Sequence, residues 1–258
     1  MGSLNLFSES SLAVIDIHSH ILPGLDDGAA TWDDALKMAQ LAVADGIRVM
    51  VATPHLFKER VVDPKKINTK NEILNCIEEF KERLAAADIA LEILPGCDVP
   101  LSLEALQLLQ DDLLLTINDL KRYLLLELPA TSIPPATAEI CFMMQSKGVT
   151  PIISHPERHL IIQEAPEKLK RLIDLGCLGQ ITAGSLTGKF GRHAARASRQ
   201  LIKKGYIHVM ASDAHDLSGR APQLSPALDE LAKLVGPEQA RAMVTGIPEK
   251  IIKGAPVL

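Results

Sequence analysis

The feature that most constrains the fold is a regular alternation of short, apolar, β-prone runs with longer amphipathic patterns along the whole sequence. Short apolar runs bounded by turn residues are typical of strands buried on both faces. The runs predicted as strands are residues 13–16, 48–53, 90–94, 123–127, 151–154, 177–182 and 207–212. The patterns predicted as helices are residues 35–44, 67–87, 101–110, 135–147, 167–175, 192–204, 226–234 and 238–244.

Strands that alternate with helices form parallel sheets through right-handed crossover connections. An α/β fold is therefore predicted, with a β/α barrel of about seven strands as the first choice and an open doubly wound sheet as the alternative. Of the 258 residues, 47% are hydrophobic and 23% are charged, which is typical of a globular protein. No linker divides the sequence, so we predict one domain over residues 1–258 with an N-terminal tail at residues 1–12.

Charge, hydropathy and cysteine spacing exclude several classes of function. The 27 basic and 32 acidic residues give a net charge of −5, which disfavours extended nucleic-acid binding. No apolar stretch reaches the roughly 20 residues of a spanning helix, and the N-terminus lacks a secretory pattern. We therefore expect a cytoplasmic protein with no membrane insertion. No cysteine is followed by arginine six positions later, which excludes the thiol nucleophile of cysteine-dependent phosphatases.

Metal-competent side chains follow nearly every predicted strand. Because the carboxyl ends of parallel strands form one face, side chains that are far apart in the sequence are expected to converge there. Six of the eight histidines lie at such positions, whereas His193 and His208 are predicted to be structural. The strand-end residues are His18, His20, Asp27, His55, Asp98, Glu127, His155, His159, Asp213 and His215.

Each of these residues has an ordinary explanation when it is considered alone. Alternate residues such as His18 and His20 can simply pack on one strand face, and an aspartate after a strand, such as Asp98, is often a helix cap. The collective placement favours a polynuclear metal site instead. Nitrogen and carboxylate ligands without a thiolate pair suit Mn²⁺, Fe²⁺ or Zn²⁺.

Several segments together resemble the polymerase and histidinol phosphatase (PHP) superfamily. More narrowly, they resemble its bacterial protein-tyrosine phosphatases, which are encoded with capsule and exopolysaccharide synthesis genes. The resemblance lies in His18-Ser19-His20-Ile21-Leu22-Pro23-Gly24-Leu25-Asp26-Asp27-Gly28, Thr53-Pro54-His55, His155-Pro156-Glu157-Arg158, residues 180–188 and Ser212-Asp213-Ala214-His215. It extends over about residues 16–220, and it implies a distorted seven-stranded β/α barrel with a trinuclear metal centre.

The resemblance also implies which residues bind up to three metal ions. Mn²⁺ is expected, and Fe²⁺ or Zn²⁺ are the alternatives. Asp98 stands where the family normally has a bridging glutamate between the first two ions, so its carboxylate is one methylene shorter. The implied ligands are His18, His20 and Asp213 for the first ion, Glu127 and His155 for the second, and Asp27, His55 and His215 for the third.

Arg158 and Arg220 are candidates for a phosphate clamp, because a guanidinium group binds two phosphate oxygens in a fork. Both follow strand-end ligands, and the resemblance supports both, whereas surface ion pairing is their ordinary explanation. His159 is expected either to support a neighbouring ligand or to donate a proton.

The activity implied is hydrolysis of phosphotyrosine, with an autophosphorylating bacterial tyrosine kinase of polysaccharide export as the partner. Three alternatives remain open. The first is a PHP phosphoesterase acting on histidinol phosphate or nucleotides. The second is an amidohydrolase, although the bridging lysine common in that class is replaced by Glu127. The third is a non-catalytic docking module, and the only sequence feature that favours it is the aspartate at position 98 in place of glutamate.

Overall fold

The computed structural model describes residues 13–56 and 68–258, so the predicted tail at residues 1–12 lies outside the described residues. The strands are β1 Val14–Ser19, β2 Ile47–Ala52, β3 Glu92–Pro95, β4 Asp98–Pro100, β5 Tyr123–Glu127, β6 Thr150–Ile153, β7 Leu178–Thr182 and β8 Val209–Ala211. The α-helices are α1 Trp32–Ala44, α2 Lys70–Ala86, α3 Leu103–Gln110, α4 Thr137–Ser146, α5 Leu160–Glu164, α6 Glu167–Asp174, α7 Ala183–Leu186, α8 Gly191–Lys203, α9 Ser225–Val235, α10 Pro237–Ala242 and α11 Gly246–Ile252. Short 3₁₀ turns occupy Ile117–Asp119 and Pro156–Arg158.

The strands form two parallel sheets, ordered β1-β2-β3 and β4-β5-β6-β7-β8. Two isolated parallel bridges connect these sheets, one between Ser19 and Ala214 and the other between His55 and Asp98. The strands therefore follow one another around a distorted barrel, in which β3 and β4 together occupy the third position. The α/β barrel prediction is confirmed, and the break in the third strand is a feature that the sequence pattern did not indicate.

Gly96 lies at the break between β3 and β4, where the chain approaches β2 closely. A Cβ atom at this position would lie 2.8 Å from Val51 Cγ1 and 2.9 Å from Thr53 Cγ2. These distances are shorter than van der Waals contact, so glycine is required here. The break allows the chain to pair again after Pro95, with the Asp98 N–H donating to the Pro54 carbonyl at 3.1 Å.

Two hydrophobic clusters lie on opposite sides of the strands. The inner cluster is formed by residues at alternate strand positions, such as Ile15 and Ile17 or Val49 and Val51. The outer cluster packs the other strand faces against the helices and includes the buried Phe80. Burial on both faces explains why the strands are nearly continuous apolar runs in the sequence.

The longer helices α1 and α2 begin at side-chain caps. Thr31 caps α1 by accepting a hydrogen bond from the Asp34 N–H, and Thr69 forms a capping box with Glu72 at the start of α2. The ends of the predicted strands and helices differ from the observed ends by at most three residues. The short helices α5 and α7 were not predicted, because they span too few turns to show a period, and α11 was not predicted either. In the described residues, no helix is both long and apolar enough to span a bilayer.

Candidate metal centre

The carboxyl ends of the strands bring all nine residues predicted as ligands to one face of the barrel. Three groups of donors have their ligand atoms within 4.8 Å of one another. Consecutive groups share a residue, so the donors form one continuous cluster. The groups are His20, Asp27, His55 and His215; then His18, His20 and Asp98; and then His55, Asp98 and Glu127.

The most deeply buried part of the cluster joins the end of β1 to the loop after β8. His18 Nε2 lies 3.2 Å from His20 Nε2 and 3.4 Å from Asp213 Oδ1, and the distance from His20 Nε2 to Asp213 Oδ1 is 3.5 Å. Asp213 Oδ1 is buried and accepts no hydrogen bond of good geometry from the described part of the chain. Two imidazole nitrogens around such a carboxylate oxygen are a donor set suited to a divalent cation.

A second part of the cluster is more open to solvent. Asp27 Oδ1 lies 3.6 Å from His55 Nε2 and 3.5 Å from His215 Nε2, and the rings of His20 and His215 are 3.8 Å apart. Gly28 makes this approach possible, because a Cβ atom there would lie 1.9 Å from the His20 carbonyl oxygen. The loop that carries Asp27 therefore folds directly over the end of β1.

Asp98 lies between the other donors. Its Oδ2 is 3.5 Å from His55 Nδ1 and 3.7 Å from His18 Nε2, and its Oδ1 accepts a hydrogen bond from Ser154 Oγ at 3.3 Å. The remaining pair, His155 Nε2 and Glu127 Oε1, is 3.7 Å apart. The start of β4 thus carries the shorter carboxylate of Asp98 close to His18 of β1 and to His55, which follows β2.

Two residues that orient the histidines were missed by the assignment from the sequence. Asp26 Oδ2 lies 2.6 Å from His20 Nδ1 and accepts from the backbone N–H of His55 at 2.9 Å. Gln180 Oε1 lies 3.0 Å from His18 Nδ1. Carboxylate and amide oxygens can only accept, so each keeps a proton on Nδ1 and leaves Nε2 facing the cluster. The signals available were the neighbouring aspartate of the Asp26-Asp27 pair and the resemblance segment that begins at Gln180.

The electrostatics of the cluster favour a bound cation. Burial lowers the pKa of His18 to about 3, and burial lowers the pKa of His155 well below its usual value. Burial also opposes charge on His20, but the charge of Asp26 and the contacts with Asp213 and Asp26 outweigh this effect and raise the pKa of His20 to about 10. The pKa of Asp213 is lowered despite burial, by the surrounding imidazoles of His18 and His20 and by the charge of Arg158. The negative charge that holds a proton on His20 is equally able to attract a metal ion.

Arg158 and Arg220 meet above the other oxygen of Asp213. The Nη2 atoms of both donate to Asp213 Oδ2, at 2.8 Å for Arg220. The two guanidinium groups also lie 4.7 Å and 5.9 Å from the centre of the Phe190 ring. Both arginines line a cavity of about 680 Å³ together with Asp27, His55, Glu127 and His155. This cavity joins the cationic pair to the ligand cluster.

The remaining histidines lie outside the donor groups. His159 Nε2 is 3.1 Å from the Ser132 carbonyl oxygen, and the Ile162 N–H donates to His159 Nδ1 at 3.4 Å. Both ring nitrogens thus face backbone groups, which favours support of the loop over proton donation. His208 Nδ1 accepts from the Gly179 N–H at 3.0 Å, in agreement with a structural role, and His193 lies on the exposed face of α8.

The fold and the cluster together define a class: β/α barrels that present a histidine and carboxylate metal site at their strand ends. Within this class, the model of the CpsB/CapC family, described as capsular polysaccharide synthesis, matches residues 14–253. The chain belongs to the CpsB/CapC family.

The relatives of this chain have names that agree with the predicted relationship. Tyrosine-protein phosphatase YwqE of Bacillus subtilis (strain 168) is 38% identical over 229 residues, covering 87% of this chain and 86% of YwqE. Tyrosine-protein phosphatase CpsB of Streptococcus pneumoniae is 30% identical over 245 residues, covering 93% of this chain and 98% of CpsB. The predicted kinship with bacterial tyrosine phosphatases is confirmed.

Solved structures agree at two levels. One solved structure matches with a TM-score of 0.89 and 36% identity, covering 95% of this chain and 96% of that chain. It is described as "Crystal structures of YwqE from Bacillus subtilis and CpsB from Streptococcus pneumoniae, unique metal-dependent tyrosine phosphatases". A phosphotriesterase homology protein from Escherichia coli matches with a TM-score of 0.55 and 12% identity, covering 92% and 97%. The second likeness shows only that the barrel architecture is shared.

Proposed function

We propose that this chain is a metal-dependent tyrosine-protein phosphatase, as its relatives YwqE and CpsB are named. The observation that carries the proposal is the meeting of Arg158 and Arg220 on Asp213, whose other carboxylate oxygen faces the histidines of the donor cluster. A phosphate monoester needs cationic groups on its oxygens and an activated water behind its phosphorus. One cavity supplies the residues for both needs.

In this proposal, the nine donor residues bind up to three metal ions. The donors are nitrogen and oxygen atoms only, which favours Mn²⁺ and also accommodates Fe²⁺ or Zn²⁺. When bound, such ions supply Lewis acidity to the phosphoryl oxygens and lower the pKa of water at the site. The proposed assignments are His18, His20 and Asp213 for the first ion, Glu127 and His155 for the second, and Asp27, His55 and His215 for the third, with Asp98 shared between the first and the second.

The chain's own residues then have distinct tasks. Asp213 holds both guanidinium groups through one nitrogen each, so their other N–H groups can bind the phosphate. In the described structure, Arg158 Nε and Arg220 Nε are buried and have no hydrogen-bond partner, so the remaining Nη groups are the donors assigned to the phosphate. Asp26 and Gln180 keep the imidazoles of His20 and His18 fixed.

A cysteine nucleophile does not fit the site. Cys97 lies next to Asp98, but it is fully buried and its Sγ donates to the Pro54 carbonyl at 3.2 Å. Burial raises the pKa of this thiol well above its usual value, so it stays protonated and unreactive. Among the described residues, hydrolysis therefore depends on the histidine and carboxylate cluster.

By the same proposal, the substrate is phosphotyrosine on a bacterial tyrosine kinase of capsule or exopolysaccharide synthesis, and the enzyme acts in the cytoplasm. The test is elemental analysis of the purified protein, followed by phosphotyrosyl-peptide turnover before and after chelation and after addition of Mn²⁺, Fe²⁺ or Zn²⁺. We expect turnover to disappear with the metal and to return with it. Histidinol phosphate and short oligonucleotides serve as comparison substrates. A preference for either, or no turnover with any of the metals, would contradict the proposal.

A further inference from the structure

An open groove leaves the metal-centre cavity between α5 and α8. Its volume is about 1510 Å³, larger than the cavity itself. Arg158 lines both, so the groove begins at the residue that is proposed to bind the phosphate. Phe190 lies at the same junction, with its ring 4.7 Å from the Arg158 guanidinium carbon. A chain whose phosphate reaches Arg158 can therefore continue directly into this groove.

The walls of the groove combine apolar surface with positive charge. Leu160 on α5 is 54% exposed although it is a large apolar residue. The opposite wall carries His193 and Arg196 of α8, both exposed, and the buried Ala194 and Ala197 also line the groove. The small side chains of these alanines leave room for an extended backbone. A surface of this kind suits a peptide with mixed apolar and polar side chains.

All the charged side chains of α8 are basic. This helix, with the sequence GRHAARASRQLIK, has four Arg or Lys residues and no acidic residue, in a chain of net charge −5. Its groove-lining cation is Arg196, and the acidic residue lining the groove is Glu164 on α5. Within the described residues, Arg196 makes no ion pair with an acidic side chain, whereas Arg199, three residues further along α8, reaches Glu230 at 4.0 Å. Arg196 is thus available to pair with a partner molecule.

We propose that this groove binds the substrate segment on one side of the phosphotyrosine, and that Arg196 selects acidic side chains there. The inference rests on the proposed phosphatase function and adds a substrate preference to it. Charge complementarity indicates an acidic rather than a basic segment. Because the groove leaves the cavity in one direction, the preference applies to only one side of the phosphotyrosine.

The test compares kcat/KM for three phosphotyrosyl peptides, with acidic residues before the phosphotyrosine, acidic residues after it, or neutral residues on both sides. We expect one acidic peptide to be favoured over the neutral one. Arg196→Glu replaces an attraction with a repulsion, so we expect it to lower the ratio of that peptide to the neutral peptide about tenfold, since an exposed ion pair contributes a factor of roughly two to five.

Lys203→Glu is the matched control, because it makes the same charge change on the same helix at an exposed position that does not line the groove. We expect this variant to leave the ratio unchanged. An equal loss in both variants would show a long-range field rather than a contact and would overturn the proposal, as would equal turnover of all three peptides by the parent enzyme. Failure to hydrolyse even the neutral peptide would instead contradict the proposed function.

Discussion

The two ends of the barrel differ in composition although the same strands run through both. At the amino end, the interior is closed by apolar residues, among them Ile117 and Ile251, which are 1% and 0% exposed. At the carboxyl end, residues buried to the same degree are His18, Asp98 and Asp213. Burial of apolar groups stabilises a fold, whereas buried charged groups cost free energy unless they are paired or bind a cation. The amino end therefore supports the fold, and the carboxyl end is organised for binding.

The largest effect is expected at the carboxyl end. His20→Ala removes a donor that two of the ligand groups share. Loss of a residue that merely supports a metal ligand costs about 10–100-fold, so loss of the donor itself should lower phosphotyrosine turnover by at least about a hundredfold. Metal content and turnover measure this directly. His208→Ala is the control, because His208 lies outside the donor cluster. An equal loss of turnover in this variant would contradict the assignment of function to the donor cluster.

Asp26→Asn should weaken metal binding without removing a ligand. The substitution replaces the carboxylate oxygen 2.6 Å from His20 Nδ1 by a neutral amide. We expect the affinity for Mn²⁺ to fall about 10–100-fold, with turnover recovering at high metal concentration. Metal titration monitored by activity is the measurement. Turnover that stays low at saturating metal would show that Asp26 does more than orient His20.

Arg158→Ala separates substrate binding from metal binding. The lost charge-assisted hydrogen bonds should lower kcat/KM about 10–100-fold, since such bonds contribute roughly 1.5–3 kcal/mol. Metal content should not change, because the guanidinium group contacts Asp213 through Oδ2 and not through Oδ1. Elemental analysis beside steady-state kinetics tests both statements. Loss of metal in this variant would contradict the assignment of Arg158 to the phosphate.

A substitution at the amino end of the barrel should lower stability and leave the activity of the folded protein unchanged. Ile251→Ala leaves a cavity in the inner cluster, and we expect the free energy of unfolding to fall by about 2–5 kcal/mol. Under conditions in which the variant is folded, its specific activity and metal content should match those of the parent. Denaturant unfolding followed by activity measurements tests this. A selective loss of activity in the folded variant would show that the two ends are coupled.

The smallest effect is expected for Asp98→Glu. The carboxylate of Asp98 already lies within 3.7 Å of both His18 and His55, so a longer side chain has little to gain. We expect metal stoichiometry and turnover to change only slightly. A marked increase in either would show that the shorter side chain limits the centre.

Much of the fold could be predicted because its causes are local. Apolar runs and amphipathic patterns are properties of neighbouring residues, and they placed the main strands and helices within three positions. The separation of β3 from β4 could not be predicted in this way. It depends on the contact of Gly96 with side chains of β2, more than forty positions earlier.

The donor types and their positions after the strands can be read from the amino-acid order alone, and their meeting on one face follows because parallel strands present their carboxyl ends together. The packing of the barrel sets which of these side chains face the cluster and which orient the histidines. It directs Asp26 towards His20 Nδ1 while the adjacent Asp27 faces His55 and His215, and it brings Gln180 against His18. It also places α5 beside α8 to form the groove. These relations join residues that are distant along the chain, so only the closed packing of the barrel defines them.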